Sequence, residues 1–175
     1  MSFRFKSICL LLFLFITLGF GLISACSEEG SERYADARSL AKDFHNLAVN
    51  GRYSELSTLV DYPFNYDLQH DIQSEAAFQR LMEKKGTAIG RRARPATAIE
   101  VVSYERFLAG DKVAGVSLSE DVAEEQAKKI GLVPGCYLIR CYHEDASSGR
   151  RDARGYWLVV RENSLGDLKV VTYYD

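Results

Sequence analysis

Three observations predict an α+β domain. Apolar residues recur at helical spacing between Tyr34 and Met82, the period changes to two from Thr97, and three strand-like segments close the chain at 136–144, 155–161 and 168–174. Helices first and antiparallel strands after imply N-terminal helices packed on a sheet, in a single domain over residues 34–175.

In the first helix Ala37, Leu40, Ala41, Phe44, Leu47 and Ala48 share one face, and Asn50-Gly51 supplies the residue types that end a helix. A shorter helix is expected over 53–60, with Leu56, Leu59 and Val60 inward, stopped by Asp61-Tyr62-Pro63. Phe64-Asn65-Tyr66 is a brief extended piece. Ser74 is an N-cap for a third helix that buries Ala77, Phe78, Leu81 and Met82 and ends at Lys84-Lys85-Gly86. Residues 97–107 alternate as a strand, Gly110-Asp111 turns, and 113–118 is a second strand. Ser119-Glu120-Asp121 has the cap and first-turn acids of a helix through Ile130, closed by Gly131. The three closing strands are joined by turns at 147–149 and 163–167.

Ahead of the domain, Arg4 and Lys6 precede an uncharged run from Ser7 to Leu22, the layout of a secretory signal. The run is shorter than the roughly 20 residues a spanning helix needs, so a permanent transmembrane anchor is the competing reading. Ile23-Ser24-Ala25-Cys26 resembles the lipobox of bacterial lipoproteins at all four positions. The resemblance implies cleavage before Cys26, lipidation of its thiol and acylation of the new amino terminus. Two or more acyl chains anchor a protein where one is marginal. Cleavage after Ala25 to leave a secreted protein with a free cysteine is the alternative. Ser27 stands where an inner-membrane retention signal would place Asp, so the resemblance implies an outer-membrane anchor facing the periplasm in a host with two membranes. Residues 1–25 are then signal, and 26–33 a flexible acidic tether.

Removing Arg4 and Lys6 from the 22 basic residues leaves 20 against 24 acidic ones, a net charge of −4. That mild acidity argues against nucleic acid as a partner. The basic cluster Arg91-Arg92-Ala93-Arg94 reads as a solvated loop. Cys136 and Cys141 flank Tyr-Leu-Ile-Arg, a strand that holds their Cα atoms about 17 Å apart and points their side chains to opposite faces. A disulfide needs Cα atoms within about 7 Å, so two free thiols are expected.

The order of these elements, with Asn50-Gly51-Arg52-Tyr53 after the first helix, Val60-Asp61-Tyr62-Pro63-Phe64 after the second, and the closing Tyr156-Trp157-Leu158-Val159-Val160 and Leu168-Lys169-Val170-Val171, resembles the nuclear transport factor 2-like cone fold. The resemblance implies a curved sheet wrapped around a pocket. Residues 119–131 are an addition to that pattern and leave the strand order there open. In the isomerases, cyclases and dehydratases of this fold the pocket carries acid–base groups. Here the place of the oxyanion-stabilising tyrosine falls on Phe44 and that of the base aspartate near Asn65, with Asp61 and Asp67 as neighbouring acids.

His45, His70 and His143 lack the spacing of a zinc site, and no metal or cofactor is expected. Asp67, His70 and Asp71 form a polar loop cluster. His143 shares the strand face of Tyr137, Ile139 and Cys141, taken as inward, where a core histidine competes with a proton-transfer group. Tyr66, His70, Tyr104, His143 and Trp157 are the candidate ligand-binding side chains. Three functions stay open: a non-catalytic ligand-binding or envelope-protein interaction domain, an isomerase- or dehydratase-like enzyme for a small apolar substrate, and a homodimer joined through its sheet. A pocket filled by its own aromatics favours the first, one lined by a His or acid touching a Tyr the second, and an exposed apolar sheet face the third.

Overall fold

The computed structural model describes residues 30–92, 98–113, 119–144 and 151–175, with the side chains of 86–92, 143–144 and 151–154 excepted. Two compact units are Met1–Ala35 and Asp36–Asp175, and the packing described below is that of the second. Helix α1 covers residues 30–49, so helical backbone begins four residues ahead of Tyr34. From Asp36 on it presents Ala37, Ala41, Phe44 and Ala48 to the core, a stripe of small residues around one large ring. Gly51, at φ +69°, supplies the left-handed residue past its end.

Helix α2 is one turn, Tyr53–Ser57, and Val60 opens strand β1 (Val60–Tyr66) instead of closing the helix. The expected stop at Asp61-Tyr62-Pro63 is therefore strand. Pro63 is tolerated because the pairing of β1 with its neighbour shifts register between Val60 and Asn65, where no ladder donor is required of it. Asp67 and Leu68, both at positive φ, turn the chain into β2 (His70–Ile72). His70 and Asp71 thus belong to a strand rather than a loop.

Helix α3 (Glu75–Arg92) starts where expected, with Ser74 Oγ accepting from the Ala77 amide at 3.4 Å, and buries Phe78 and Met82. It runs past Gly86, and Arg91 and Arg92 are helical, not loop. A mid-helix glycine costs about 1 kcal/mol against alanine but stops a helix only where the backbone turns left-handed. Strand β3 (Ala98–Ser103) is shorter than the alternation suggested, because Ser103 accepts a bond from the Arg106 amide and caps helix α4 (Tyr104–Leu108). Val113 makes an isolated bridge, and the remainder of the expected strand, 114–118, lies outside the described residues. Helix α5 (Glu120–Ile130) ends at Gly131, φ 72°, as expected.

Strands β4 (Tyr137–Glu144), β5 (Arg151–Glu162) and β6 (Leu168–Tyr174) complete a curved, open six-stranded sheet in the order β2-β1-β6-β5-β4-β3. Its pairs are antiparallel except β1 with β6, which run parallel and join the helical half of the chain to its end. The fold class is α+β. Alternation along β4 and β5 sends side chains to two separate cores. Ile139, Cys141, Tyr156, Leu158 and Val160 meet α1, α2 and α3; Leu138 and Val159 meet α4 and α5. The sheet is therefore covered on both sides. Cys136 and Cys141 are both buried and free, one in each core, as their spacing required. Among the described residues no helix is long and apolar enough to cross a membrane.

Candidate functional site

The inner core lies between helices α1 to α3 and the sheet. Phe44, Phe64, Phe78, Met82, Tyr156 and Tyr173 are each at most 1% exposed and belong to one contiguous cluster. Their rings lock by geometry. Phe64 and Phe78 meet edge to face at 5.1 Å, and Tyr173 lies 5.2 Å from Tyr156 and 5.3 Å from Tyr66.

Within this core Tyr156 holds the polar groups. Its hydroxyl lies 2.9 Å from His45 Nδ1, and the two rings stack at 6.0 Å. Cys141 is its register partner on β4, and the two interact electrostatically. Burial sets the protonation of all three. It pulls His45 below its ordinary value, pushes Tyr156 well above its own with Cys141 adding to the rise, and drives Cys141 up to about 12. At neutral pH the trio is uncharged. A His–Tyr pair is what proton-transfer chemistry asks for, but this one is enclosed among the rings that fill the core.

The outer face carries a different construction. One rung of the sheet sets Glu100, Arg140, Trp157 and Tyr174 side by side on β3, β4, β5 and β6. The Arg140 guanidinium lies 4.8 Å over the Trp157 ring, and Tyr174 stacks on the other side of Trp157 at 6.1 Å with planes 6° apart. Tyr142 donates to Glu100 Oε1 at 2.7 Å from the adjacent position. Burial lowers Arg140 against the pull of Tyr174, Cys141 and Glu100, and raises Tyr174. Beside this rung lies a cavity of about 240 Å³ lined by Phe107, Val113, Gln126, Ile130, Leu138, Trp157 and Tyr174. Helix α5 supplies Gln126 and Ile130 from above, α4 supplies Phe107, and the strands form the floor.

Of the predicted ligand-binding residues whose side chains are described, Trp157 lines this cavity and Tyr66, His70 and Tyr104 do not. Tyr104 packs half-buried against the outer core at the start of α4. Tyr66 is buried on the inner side, with the Lys85 ammonium 5.3 Å from its ring. His70 is exposed on β2 at one edge of the sheet. His143 is on β4, its side chain outside the described set, and Cys26 lies outside the described residues altogether. At the positions the isomerase resemblance points to, Phe44 is core, Asn65 donates to Asp71 Oδ1 at 2.8 Å, Asp61 accepts from Arg161 at 2.9 Å, and Asp67 opens the turn into β2 at φ 60°.

Sequence reasoning missed Arg140, Leu138 and Tyr174 because alternation marks them as outward, and outward residues are read as solvated unless a second layer covers them. His45 gave no signal of its partner, which is 111 residues away. Among the described residues, no group of three or more His, Cys, Asp or Glu is placed to hold a metal ion.

No family model matches the chain, and no curated protein matches it. Among solved structures, an NTF2-like protein with a cystatin-like fold from Novosphingobium aromaticivorans is similar at 14% identity and TM-score 0.48, over 86% of this chain and 84% of that one. Aln2 from a Streptomyces species is similar at 10% identity and TM-score 0.41, over 82% of this chain and 88% of the other.

Proposed function

We propose that this chain is a lipid-anchored protein of the bacterial envelope, tethered through Cys26, whose nuclear transport factor 2-like domain binds a ligand or an envelope protein without catalysing a reaction. The observation that carries the non-catalytic reading is the filled inner core. Phe44, Tyr156 and Tyr173, on the side where the resemblance to the cone fold implies a pocket, are each at most 1% exposed. Acid–base catalysis needs the base and the stabiliser within reach of a bound molecule. His45 and Tyr156 reach each other instead. The lipobox resemblance of Ile23-Ser24-Ala25-Cys26 supports the anchor, and in a host with two membranes Ser27 supports an outer-membrane placement facing the periplasm.

The homodimer reading draws less support. Among the described residues the large exposed apolar side chains are Val49, Val122, Val133 and Leu165, which lie on separate segments, and helices cover both sides of the sheet.

The test is native mass spectrometry of the protein extracted from its own membrane in mild detergent, beside a Cys26→Ser version. The expected spectrum shows acyl groups together with a co-extracted small molecule or protein, and the variant loses the acyl mass. An unmodified chain would overturn the anchor, and acylated protein that carries nothing would count against the binding role.

A further inference from the structure

We propose that the cavity beside Trp157 on the outer face is a binding site for a neutral, single-ring apolar molecule of the size of a substituted benzene or phenol. This deepens the reading of the domain as a binding module and rests on it. The volume of about 240 Å³ exceeds the roughly 150 Å³ in which a protein cavity accommodates benzene, and stays below the several hundred that larger ligands fill. Phe107, Val113, Ile130 and Leu138 make most of the lining apolar.

Trp157 is fixed before any ligand arrives. Arg140 lies over its ring and Tyr174 runs parallel to it at 6.1 Å, so neighbours on both flanking strands hold the indole in place. A fixed indole gives a second ring an aromatic surface to stack on or meet edge to face. Polar complementarity is restricted to the Gln126 amide, on the exposed side of α5, and the Tyr174 hydroxyl. One hydroxyl on the ligand satisfies it. A charge is disfavoured, because the apolar walls desolvate it. The site is on the opposite side of the sheet from the filled inner core, so the two do not compete.

Trp157, the chain's one tryptophan, is the reporter. The full-length gene product, purified as its host processes it, is titrated with 4-iodophenol, which is neutral at pH 7 and quenches indole emission on contact. Quenching is expected to saturate at one probe per chain. Gln126→Phe, which closes the mouth from an exposed helix position, should weaken binding at least tenfold. Leu165→Ala, at a residue 83% exposed, should leave it unchanged. The anion 4-iodobenzoate should bind at least tenfold more weakly. Quenching that rises linearly without saturating, equal affinity in Gln126→Phe, or equal affinity for the anion would overturn the proposal. An intact mass of the same sample reports acylation separately, so loss of the anchor and loss of the cavity ligand are distinct results.

Discussion

Tyr156 on β5 joins two other elements, with His45 from α1 on its hydroxyl and Cys141 from β4 beside it in register. The physical cost of burying these polar groups is met by pairing them while neutral. That makes the inner core sensitive to acid. His45 has its folded value lowered from 6.5 by burial, so below that pH the unfolded chain binds a proton that the folded chain resists. The stability contributed by neutral His45 is complete above about pH 6.5 and is lost as pH falls from there through its lowered folded value. Thermal midpoints recorded from pH 8 to pH 5 should fall on the acid side, and His45→Gln should remove that part of the slope. An identical slope in the variant would mean His45 is not held neutral. None of this was legible from the sequence, where a histidine on an apolar helix face is ambiguous until its partner is known.

Helix α1 from Tyr34 on, the start of α3, helix α5 and the three closing strands were legible element by element, and the reasons α2, β3 and α4 were not are local. Residues 97–107 kept an alternating pattern through Phe107, yet the Ser103 cap diverts the chain into α4. A serine three residues ahead of a free amide is a helix start, and its short-range bond outweighs a weak period-two signal. At α2 the reverse happened, and an apolar spacing that suits a helix was drawn into β1 by its parallel partner β6. Element geometry also makes one glycine indispensable. A Cβ on Gly155 would lie 2.3 Å from the Cys141 carbonyl oxygen and 3.0 Å from Tyr142 Cα, both backbone atoms. Gly155→Ala must therefore push β5 from β4, at a cost of about 1–3 kcal/mol. Urea unfolding should show a lower midpoint at unchanged slope, and a midpoint equal to wild type would show that the strands are further apart at this point than described.

As a whole molecule the domain is three layers: α1 to α3, the sheet, then α4 and α5. The fold class was readable because helical spacing dominates residues 34–82 and strand patterns close the chain over 136–174. The outer layer was not, since covering the second face depends on where α4 and α5 fold back, which periodicity does not specify. That layer matters for function. It leaves a small apolar cavity on the outer side, while among the described residues the inner side is packed with its own aromatics. Cys136 and Cys141 sit one in each core and report on both. The most direct test of the closed interior is therefore reaction of the native protein with a small thiol reagent, with labelled cysteines located by peptide mass spectrometry. Cys141 should remain unlabelled until denaturant is added and then react fully. Labelling of Cys141 in the native state at the rate of a free thiol would show an open inner pocket and contradict the non-catalytic reading.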